Sequence, residues 1–254
     1  MAGSEEYGTE TYGERWASIY DAWTASLGFL AEGETVASKL VDLAGGGPAL
    51  ELAIGTGRVA LPLSEMGVEV HGIDASPAMV AKLREKPGGE DIAVTMGDFA
   101  DVAVDGRYRL VYVVFNTFFA LRTQEDQVRC FANVTERLTD DGLFVLEAFM
   151  PDVTRFDRGQ RVETLDIGLR GLALEAARHD AATQQVEAIQ VMLEEGQPVR
   201  TYPVKLRYCY PSELDLMARL AGLRLRDRWG GWEGELFTSA SPRHVSVYER
   251  DPGR

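Results

Sequence analysis

Short apolar runs alternate with amphipathic stretches over residues 49–149 of the chain. The runs have the length and the polar boundaries of buried strands, and the stretches between them carry apolar residues at helical spacing. Strands that alternate with helices form right-handed βαβ units, so this pattern predicts an α/β fold with a parallel sheet. The predicted strands are 49–54, 68–73, 92–96, 109–115 and 143–149, and the predicted helices are 57–66, 77–85 and 124–139, with a turn at Asp140-Asp141-Gly142.

The segments on either side of this region have different patterns. Residues 13–44 predict two helices, which are broken near Gly28 to Gly33 and end at Gly45. Residues 161–210 alternate apolar and polar positions with a period of two, which predicts an antiparallel meander rather than further βαβ units. The last predicted elements are a helix over 211–221, with Pro211 in its first turn, and strands at 223–229 and 244–250.

The whole chain, residues 1–254, is predicted to form one domain. Its 254 residues suit a single sizeable α/β unit, and the sequence contains no internal repeat, low-complexity tract or linker. We therefore interpret the antiparallel segment, residues 152–210, as an insertion into this domain rather than as a second domain.

Charge and composition narrow the class of partner. A net charge of −14 repels nucleic-acid phosphates and anionic membranes, so we expect a small-molecule substrate and no nucleic-acid partner. Cys130 and Cys209 form neither a disulfide framework nor a metal-type pair, which indicates a reducing compartment and no metal site. The N-terminal residues lack a signal-peptide pattern, and no apolar run reaches the roughly 20 residues that span a bilayer. We therefore expect a cytoplasmic protein.

A glycine-rich loop follows the first predicted strand. Residues 55–60 (GTGRVA) match the pattern G-x-G-x-x-A, and Asp74 closes the next strand about 20 residues further on. The loop lies beyond the carboxyl end of its strand, which is where ligands bind in open parallel sheets. This outline alone fits an NAD-binding dehydrogenase as well as a protein that binds another nucleoside.

Three acidic residues favour a ligand other than a dinucleotide. Glu51 lies within the first strand, where a buried carboxylate needs a partner such as a ligand ammonium group. Asp74 is placed to accept both ribose hydroxyls, and Asp98, at the end of the third strand, can accept from an exocyclic amine, with Met79 and Phe99 around the base. Taken singly, each acid could instead be a helix N-cap, a turn residue or half of an ion pair. Together they describe a cationic group, a ribose and an adenine, which S-adenosylmethionine combines.

The motifs around these acids resemble those of class I S-adenosylmethionine-dependent methyltransferases. ELAIGTGR, GIDASPAM and GDF stand at the first three strand ends, FNT follows the fourth strand, and DDGLFVLE follows the next helix. The resemblance covers residues 13–150 well and the final helix and strands more loosely, with Ala53 where the family usually has glycine. It implies a Rossmann-like, seven-stranded, mostly parallel sheet whose last strand is antiparallel. The residues expected to contact the cofactor are Tyr20, Glu51, Ala53, Gly55, Thr56, Gly57, Arg58, Asp74, Ala75, Met79, Gly97, Asp98, Phe99, Phe115 and Asn116.

The acceptor side of the predicted site carries no fixed motif. Displacement at a sulfonium methyl group needs alignment and exclusion of water, and needs a general base only when the nucleophile arrives protonated. The catalytic candidates are His179, at the end of a meander strand, His244, at the start of the last strand, and Tyr20, which resembles a lid tyrosine of the family. His179 could instead make a turn, and Tyr20 could be helix core. His71 is interpreted as a core or edge residue, and Glu147 as a structural acid or a contact.

The sequence therefore predicts a cytoplasmic methyltransferase that transfers a methyl group from S-adenosylmethionine to an oxygen or nitrogen of a small metabolite in secondary metabolism. Residues 1–45 are expected to form a helical lid. The insertion is expected to form a substrate lid, a homodimer contact or both, and its layout is similar to enzymes that methylate amino sugars and other natural products. The alternatives are a related enzyme that catalyses a non-methylating reaction such as cyclisation, an NAD-dependent oxidoreductase, and a non-enzymatic scaffold.

Overall fold

Seven strands form a mostly parallel sheet at the centre of the fold. The computed structural model describes residues 7, 8, 10–26 and 29–253. Helices cover both faces of a parallel sheet, so its strands are mostly apolar and buried on both sides. The first strand along the chain, residues 49–52, is buried at all four positions. In spatial order the strands are β10 (Leu223–Trp229), β11 (Arg243–Arg250), β5 (Leu138–Phe149), β4 (Tyr108–Val113), β1 (Ala49–Leu52), β2 (Val70–Asp74) and β3 (Ala93–Met96).

The strand order confirms the predicted fold class. β1 pairs in parallel with β2 on one side and with β4 on the other, so the chain builds the sheet outward in opposite directions from this point. The last strand, β11, lies between β5 and β10 and is antiparallel to both. A parallel sheet that changes its direction of growth opens a crevice at the carboxyl ends of the two diverging strands.

Helices cover both faces of this sheet. Val36 and Leu40 belong to a buried cluster on one face, and Phe131 and Leu214 belong to a second cluster on the opposite face. Within the described residues, no helix is long and apolar enough to cross a membrane. The helices are α1 (Thr11–Trp16), α2 (Tyr20–Ser26), α3 (Phe29–Ala44), α4 (Ala60–Glu65), α5 (Pro77–Arg84), α6 (Gln124–Arg137) and α7 (Pro211–Leu220).

The predicted break between Gly28 and Gly33 is wrong at its C-terminal end. α3 begins at Phe29 and runs through Gly33, while Gly28 lies outside the described residues. A Cβ atom at Gly33 would lie 2.9 Å from the backbone oxygen of Arg58, which is too close for any side chain. Gly33 therefore allows α3 to pack closely against the glycine-rich loop and does not end a helix.

The predicted turn at residues 140–142 is also wrong. β5 begins at Leu138 and continues through these residues as a strand with a register irregularity. Tyr108 pairs with Leu138 and Leu110 pairs with Leu143, so extra residues of β5 are accommodated between two close positions of β4. Such an irregularity needs the same polar and glycine residues as a turn, and the sequence pattern does not separate the two.

The predicted antiparallel meander is a separate four-stranded sheet. Its inner face packs on the rest of the domain, because Met192 and Tyr202 join Trp16 in one apolar cluster. Its outer face carries exposed apolar side chains, among them Val162 and Ile189. The four strands, in order, are β6 (Gln160–Gly168), β7 (Gly171–Asp180), β8 (Gln185–Glu194) and β9 (Arg200–Arg207).

Candidate active site

The carboxyl ends of β1 and β4 carry an unusual backbone. Ala53, Phe115 and Asn116 have positive φ angles of 56°, 55° and 66°, in the left-handed region that residues other than glycine rarely adopt. Strained residues of this kind persist where surrounding structure fixes them, and they concentrate at functional sites. Here the three residues follow β1 and β4, the adjacent strands from which the sheet grows in opposite directions. A cavity at this place is lined by seven of the predicted residues, which are Tyr20, Glu51, Ala53, Gly55, Thr56, Arg58 and Phe115.

Glu51 is a buried acid on β1 that borders this cavity. It is 5% exposed, and the hydroxyl of Tyr112, its register partner on β4, donates to its Oε2 atom at 2.9 Å. Burial raises the pKa of Glu51 to about 8, and the Tyr112 hydrogen bond and nearby Arg58 offset this only in part. The carboxylate is therefore short of positive charge, which suits a ligand with an ammonium group.

Asp74 connects the ends of β1 and β2. Its Oδ2 atom accepts from the Gly55 amide at 2.7 Å, and its Oδ1 atom accepts from the Ser76 amide at 2.8 Å. Burial raises the pKa of Asp74, and these backbone hydrogen bonds oppose the rise. A carboxylate has about four acceptor positions, so the backbone amides of Gly55, Ser76 and Ala75 leave capacity for a ligand hydroxyl.

The end of β3 lies beside the end of β2. The Gly97 amide donates to the Asp74 carbonyl at 2.9 Å, and Asp98 accepts from the Ala100 amide at 2.8 Å. The two residues predicted to sandwich a base lie in different apolar clusters: Met79 packs beneath α1, and Phe99 packs in the core. Their joint contact with a base stays a prediction.

The N-terminal helices are tied to the glycine-rich loop. Thr56 Oγ1 donates to Asp21 Oδ1 at 2.7 Å, and Lys86 forms an ion pair with the same carboxylate at 2.8 Å. Arg58 donates to the Tyr20 hydroxyl at 3.3 Å. These contacts place α2 across the carboxyl edge of the sheet, over the cavity.

The turn after β4 is held against β5 and against the loop. Glu147 is 3% exposed and accepts from the Phe115 amide at 2.8 Å, and Asn116 Oδ1 accepts from the Phe149 amide at 2.6 Å. The guanidinium of Arg58 lies 3.5 Å from the centre of the Phe115 ring. Burial raises the pKa of Glu147, with Arg243 at 3.2 Å opposing the rise. Glu147 thus positions the Phe115 backbone.

The three histidines occupy separate places. His179 Nε2 is 2.9 Å from the Tyr208 hydroxyl, and its ring stacks on Phe156 at 4.7 Å between centroids. His244 is fully buried with Nδ1 at 2.9 Å from Ser246 Oγ, and burial lowers its pKa to about 4. His71 is half-buried with hydrogen bonds to strand neighbours, as a structural residue would be. The catalytic assignments of His179, His244 and Tyr20 stay predictions.

Tyr112 and Lys86 contact residues of this site and were not predicted to do so. Tyr112 is the partner of Glu51, and its signal was a hydroxyl within the otherwise apolar run of β4. Lys86 donates to the Thr56 carbonyl at 2.7 Å as well as to Asp21. Its signal is weak, since a lysine after a helix is ordinarily a solvated residue, and only the tertiary structure brings it to the loop.

Known proteins are similar to this chain in both sequence and fold. A methyltransferase domain model matches residues 49–142. The chain is 39% identical to the CcbJ methyltransferase of Streptomyces caelestis, with a TM-score of 0.89 over 96% of this chain and 99% of that one. It is 29% identical over 203 residues to the cypemycin N-terminal methyltransferase of a Streptomyces species, covering 79% of this chain and 82% of the relative. CalS10, an amino pentose methyltransferase of Micromonospora echinaspora, has the same fold, with a TM-score of 0.69 at 20% identity over 91% of this chain and 96% of that chain.

The sheet topology and the acids at three successive strand ends define an α/β enzyme that binds a nucleoside with a cationic group. Because the chain is 39% identical to CcbJ over nearly its whole length, the protein belongs to the class I S-adenosylmethionine-dependent methyltransferases. The predicted methyl donor and the predicted methyltransferase activity are confirmed. Neither the NAD-dependent oxidoreductase nor the non-methylating alternative has support among these relatives.

Proposed function

We propose that the enzyme methylates an amine nitrogen of a small secondary metabolite. The observation that carries methyl transfer from S-adenosylmethionine is the set of acids at three strand ends, Glu51, Asp74 and Asp98, beneath the N-terminal helices. A small acceptor is supported by the net charge of −14, which disfavours nucleic acid. Nitrogen as the accepting atom is supported by the cypemycin N-terminal methyltransferase, whose name places its reaction at an N-terminus.

The predicted cofactor residues divide among the parts of S-adenosylmethionine. Glu51 and the loop of residues 53–58 hold the methionine part, because an ammonium group would offset the burial that raises the pKa of Glu51. Asp74 holds the ribose, and Asp98 holds the adenine, flanked by apolar side chains. When bound, the cofactor supplies a methyl group on a positively charged sulfur. Tyr20 and Arg58 cover this region and exclude water from it.

A protonated amine must lose a proton before it can attack. We assign the role of proton acceptor to His179, which lies at the inner side of the four-stranded sheet in contact with Tyr208 and Phe156. His244 is a weak base because its pKa is about 4, so we assign it to the wall of the acceptor site.

Residues 10–26 and 29–44 act as the lid in this proposal, and the insertion has two roles. Its inner face closes over the acceptor, since Tyr202 packs on Trp16 of α1 with ring centroids 4.7 Å apart. Its outer face forms a homodimer contact. We further propose that the enzyme acts in the cytoplasm, which two buried free cysteines, Cys130 and Cys209, support.

The test is an assay with methyl-labelled S-adenosylmethionine and matched amine and hydroxyl acceptors, after mass spectrometry of the purified protein for retained S-adenosylhomocysteine. We expect retained product nucleoside and label transfer to amines. Label on hydroxyl acceptors alone would show that the nitrogen assignment is wrong. Cofactor binding without transfer to any acceptor would favour a non-methylating reaction.

A further inference from the structure

The turn after β4 holds a bulky residue in a backbone conformation that favours glycine. Phe115 has a φ angle of 55° and Asn116 one of 66°, and asparagine tolerates this left-handed region better than phenylalanine does. A glycine at position 115 would adopt the same backbone without strain, yet the chain carries a ring there. Phe115 lines the cavity together with Glu51 and Arg58. The strained backbone therefore indicates that this position needs its side chain.

The ring of Phe115 stacks on the guanidinium of Arg58 beside the cavity. The centre of the guanidinium lies 3.5 Å from the centre of the ring. The same guanidinium donates to the hydroxyl of Tyr20 on α2 at 3.3 Å. Because a stacked guanidinium cannot tilt without losing contact with the ring, the position of Phe115 determines that of Arg58. Phe115 therefore connects the turn after β4 to the glycine-rich loop and to α2.

Glu147 on β5 holds this turn at two points. Its Oε2 atom accepts from the Phe115 amide at 2.8 Å, and its backbone carbonyl accepts from the Asn116 amide at 3.3 Å. Loss of the carboxylate would deprive the Phe115 amide of this acceptor. The turn could then relax to an ordinary negative φ angle and carry the ring away from Arg58. The carboxylate of Glu147 thus restrains the strained residue directly.

Arg243 on β11 fixes the other oxygen of this carboxylate. Its Nη1 atom donates to Glu147 Oε1 at 3.2 Å and also contacts the carboxylate of Glu32 on α3. Burial raises the pKa of Glu147, and nearby Glu32 adds to the rise. Two carboxylates that share one cation are a costly arrangement, so stability alone does not account for Glu147.

We infer that Glu147 is a positioning residue for cofactor binding, because it holds the Phe115 ring against Arg58 at the wall of the cavity. Glu147 itself is not one of the residues that line this cavity, so it acts through Phe115 rather than by contact with the ligand. The inference rests on the placement of S-adenosylmethionine in the proposed function. It does not depend on which acceptor is methylated.

The test measures binding of S-adenosylmethionine and S-adenosylhomocysteine to two Glu147 variants by calorimetry. Glu147→Gln keeps an oxygen for the Phe115 amide and leaves Arg243 paired with Glu32, so affinity should stay within about threefold of the wild type. It also removes a buried charge, so the variant should fold as well as the wild type. Glu147→Leu has a similar size but no acceptor, and it should weaken binding of both nucleosides by about tenfold.

A double-mutant cycle identifies the ring as the intermediary. Phe115→Leu should weaken binding about as much as Glu147→Leu does, and the double variant should lose little more, because both changes remove the same ring contact. The ring should also shift the Arg58 Nε–H NMR signal upfield. Glu147→Leu should reduce this shift, whereas Glu147→Gln should keep it. If Glu147 supports only the fold, Glu147→Leu lowers the melting temperature and leaves affinity and the Arg58 signal unchanged.

Glu249→Gln and Glu249→Leu are the matched controls. Glu249 on β11 pairs with Arg224 at 2.6 Å and lies opposite Leu143, at the other edge of the sheet from the site. Neither control should change cofactor binding or the Arg58 signal.

The outcomes separate this inference from the proposed function. Equal losses of affinity in Glu147→Gln and Glu147→Leu, or losses that multiply in the double variant, overturn the positioning role even if the enzyme methylates an amine. A wild type that binds neither nucleoside refutes the placement of the cofactor and this inference with it. A loss that Glu147→Gln avoids and that is not additive with Phe115→Leu supports the positioning role even if the labelled methyl group goes to an oxygen.

Discussion

Glu51 is a single residue whose position favours ligand binding over the stability of the free protein. Its carboxylate is 5% exposed on β1, and the one hydroxyl donor from Tyr112 does not compensate for the lost hydration. The uncompensated loss of hydration raises the pKa of Glu51 to about 8. Active sites commonly trade stability for function in this way.

Glu51→Gln should stabilise the cofactor-free protein in a pH-dependent manner. The native pKa of about 8 lies above the usual 4.5, so between these values the folded protein holds a proton that the unfolded chain has lost. Stability therefore falls as pH rises through this window, and glutamine removes that fall. Urea denaturation should give nearly equal stabilities at about pH 5 and a more stable variant at about pH 8.5.

The same substitution should weaken S-adenosylmethionine binding by about 1.5–3 kcal/mol, because glutamine cannot form a charge-assisted hydrogen bond with an ammonium group. Glu65→Gln, at an exposed position on α4, is the matched control and should change neither property. A variant that binds the cofactor as tightly as the wild type would remove Glu51 from the site.

Asp74→Ala should weaken cofactor binding by at least about 1–3 kcal/mol, since ribose hydroxyls would lose a buried acceptor. It should also destabilise the free protein, because the Gly55 and Ser76 amides donate to this carboxylate. Calorimetry and denaturation measure the two effects separately. Asp91→Ala, at an exposed position, is the control, and unchanged affinity in Asp74→Ala would show that another residue holds the ribose.

The positions of some site residues could be predicted from the sequence and those of others could not. Asp74 and Asp98 follow apolar runs, so the sequence pattern predicts that both lie at the carboxyl edge of the sheet. The contact of Asp21 with Thr56 depends on how α2 crosses the loop 35 residues later in the chain. No local pattern encodes such a contact, because it arises from packing between elements.

At the scale of elements, α1 is attached to the domain through one apolar cluster. Trp16 is 1% exposed and packs between Tyr202 of the four-stranded sheet and Met79 of α5. This cluster is separate from the two large clusters that flank the seven-stranded sheet. Residues 10–26 can therefore detach without loss of the main cores, whereas α3 belongs to one of them.

Trp16→Ala should release residues 10–26 and leave the rest of the fold intact. Hydrogen exchange should become faster over residues 10–26, and dissociation of S-adenosylmethionine should accelerate, because truncation of a buried tryptophan removes about 3–5 kcal/mol of packing. Arg15→Ala, exposed on the same helix, provides the comparison. Unfolding of the whole domain in Trp16→Ala would contradict the separation of this cluster from the cores.

Most elements follow closely from hydrophobic periodicity, although residues 13–44 belong to three helices rather than the predicted two, and two of the other errors share a cause. The sequence pattern predicts breaks at Gly33 and Gly142, yet α3 and β5 continue through these glycines. At Gly33 the reason is close packing against the backbone of Arg58. A glycine in the sequence can mark a close contact or a turn of the backbone, and only the tertiary structure distinguishes the two.

At the scale of the whole molecule, the outer face of the four-stranded sheet is apolar and uncovered in the monomer. Val162, Ala176, Ile189 and Pro203 are register partners that form an apolar row across all four strands. Val162 is 70% exposed and Ile189 is 47% exposed. An exposed apolar sheet face of this kind marks an interaction surface.

In the proposed homodimer, a second copy of the chain covers this face. The row beside the apolar one holds Arg178, Glu187 and Lys205, which carry both signs of charge. A two-fold axis places the same patch against itself, so such a row can pair its cations with the partner's acid. Elsewhere the acidic surface would repel another copy, which supports this face as the contact of the proposed homodimer.

Ile189→Asp should convert a homodimer into a monomer. Aspartate at the centre of the apolar row would place two carboxylates close together across a two-fold axis, in a region that loses water on association, which is strongly unfavourable. Sedimentation velocity at micromolar concentration should show a dimer for the wild type and a monomer for the variant. Leu236→Asp, at a residue 82% exposed outside this sheet, should remain dimeric. A monomeric wild type, or a dimer that survives Ile189→Asp, would place the interface elsewhere or remove it.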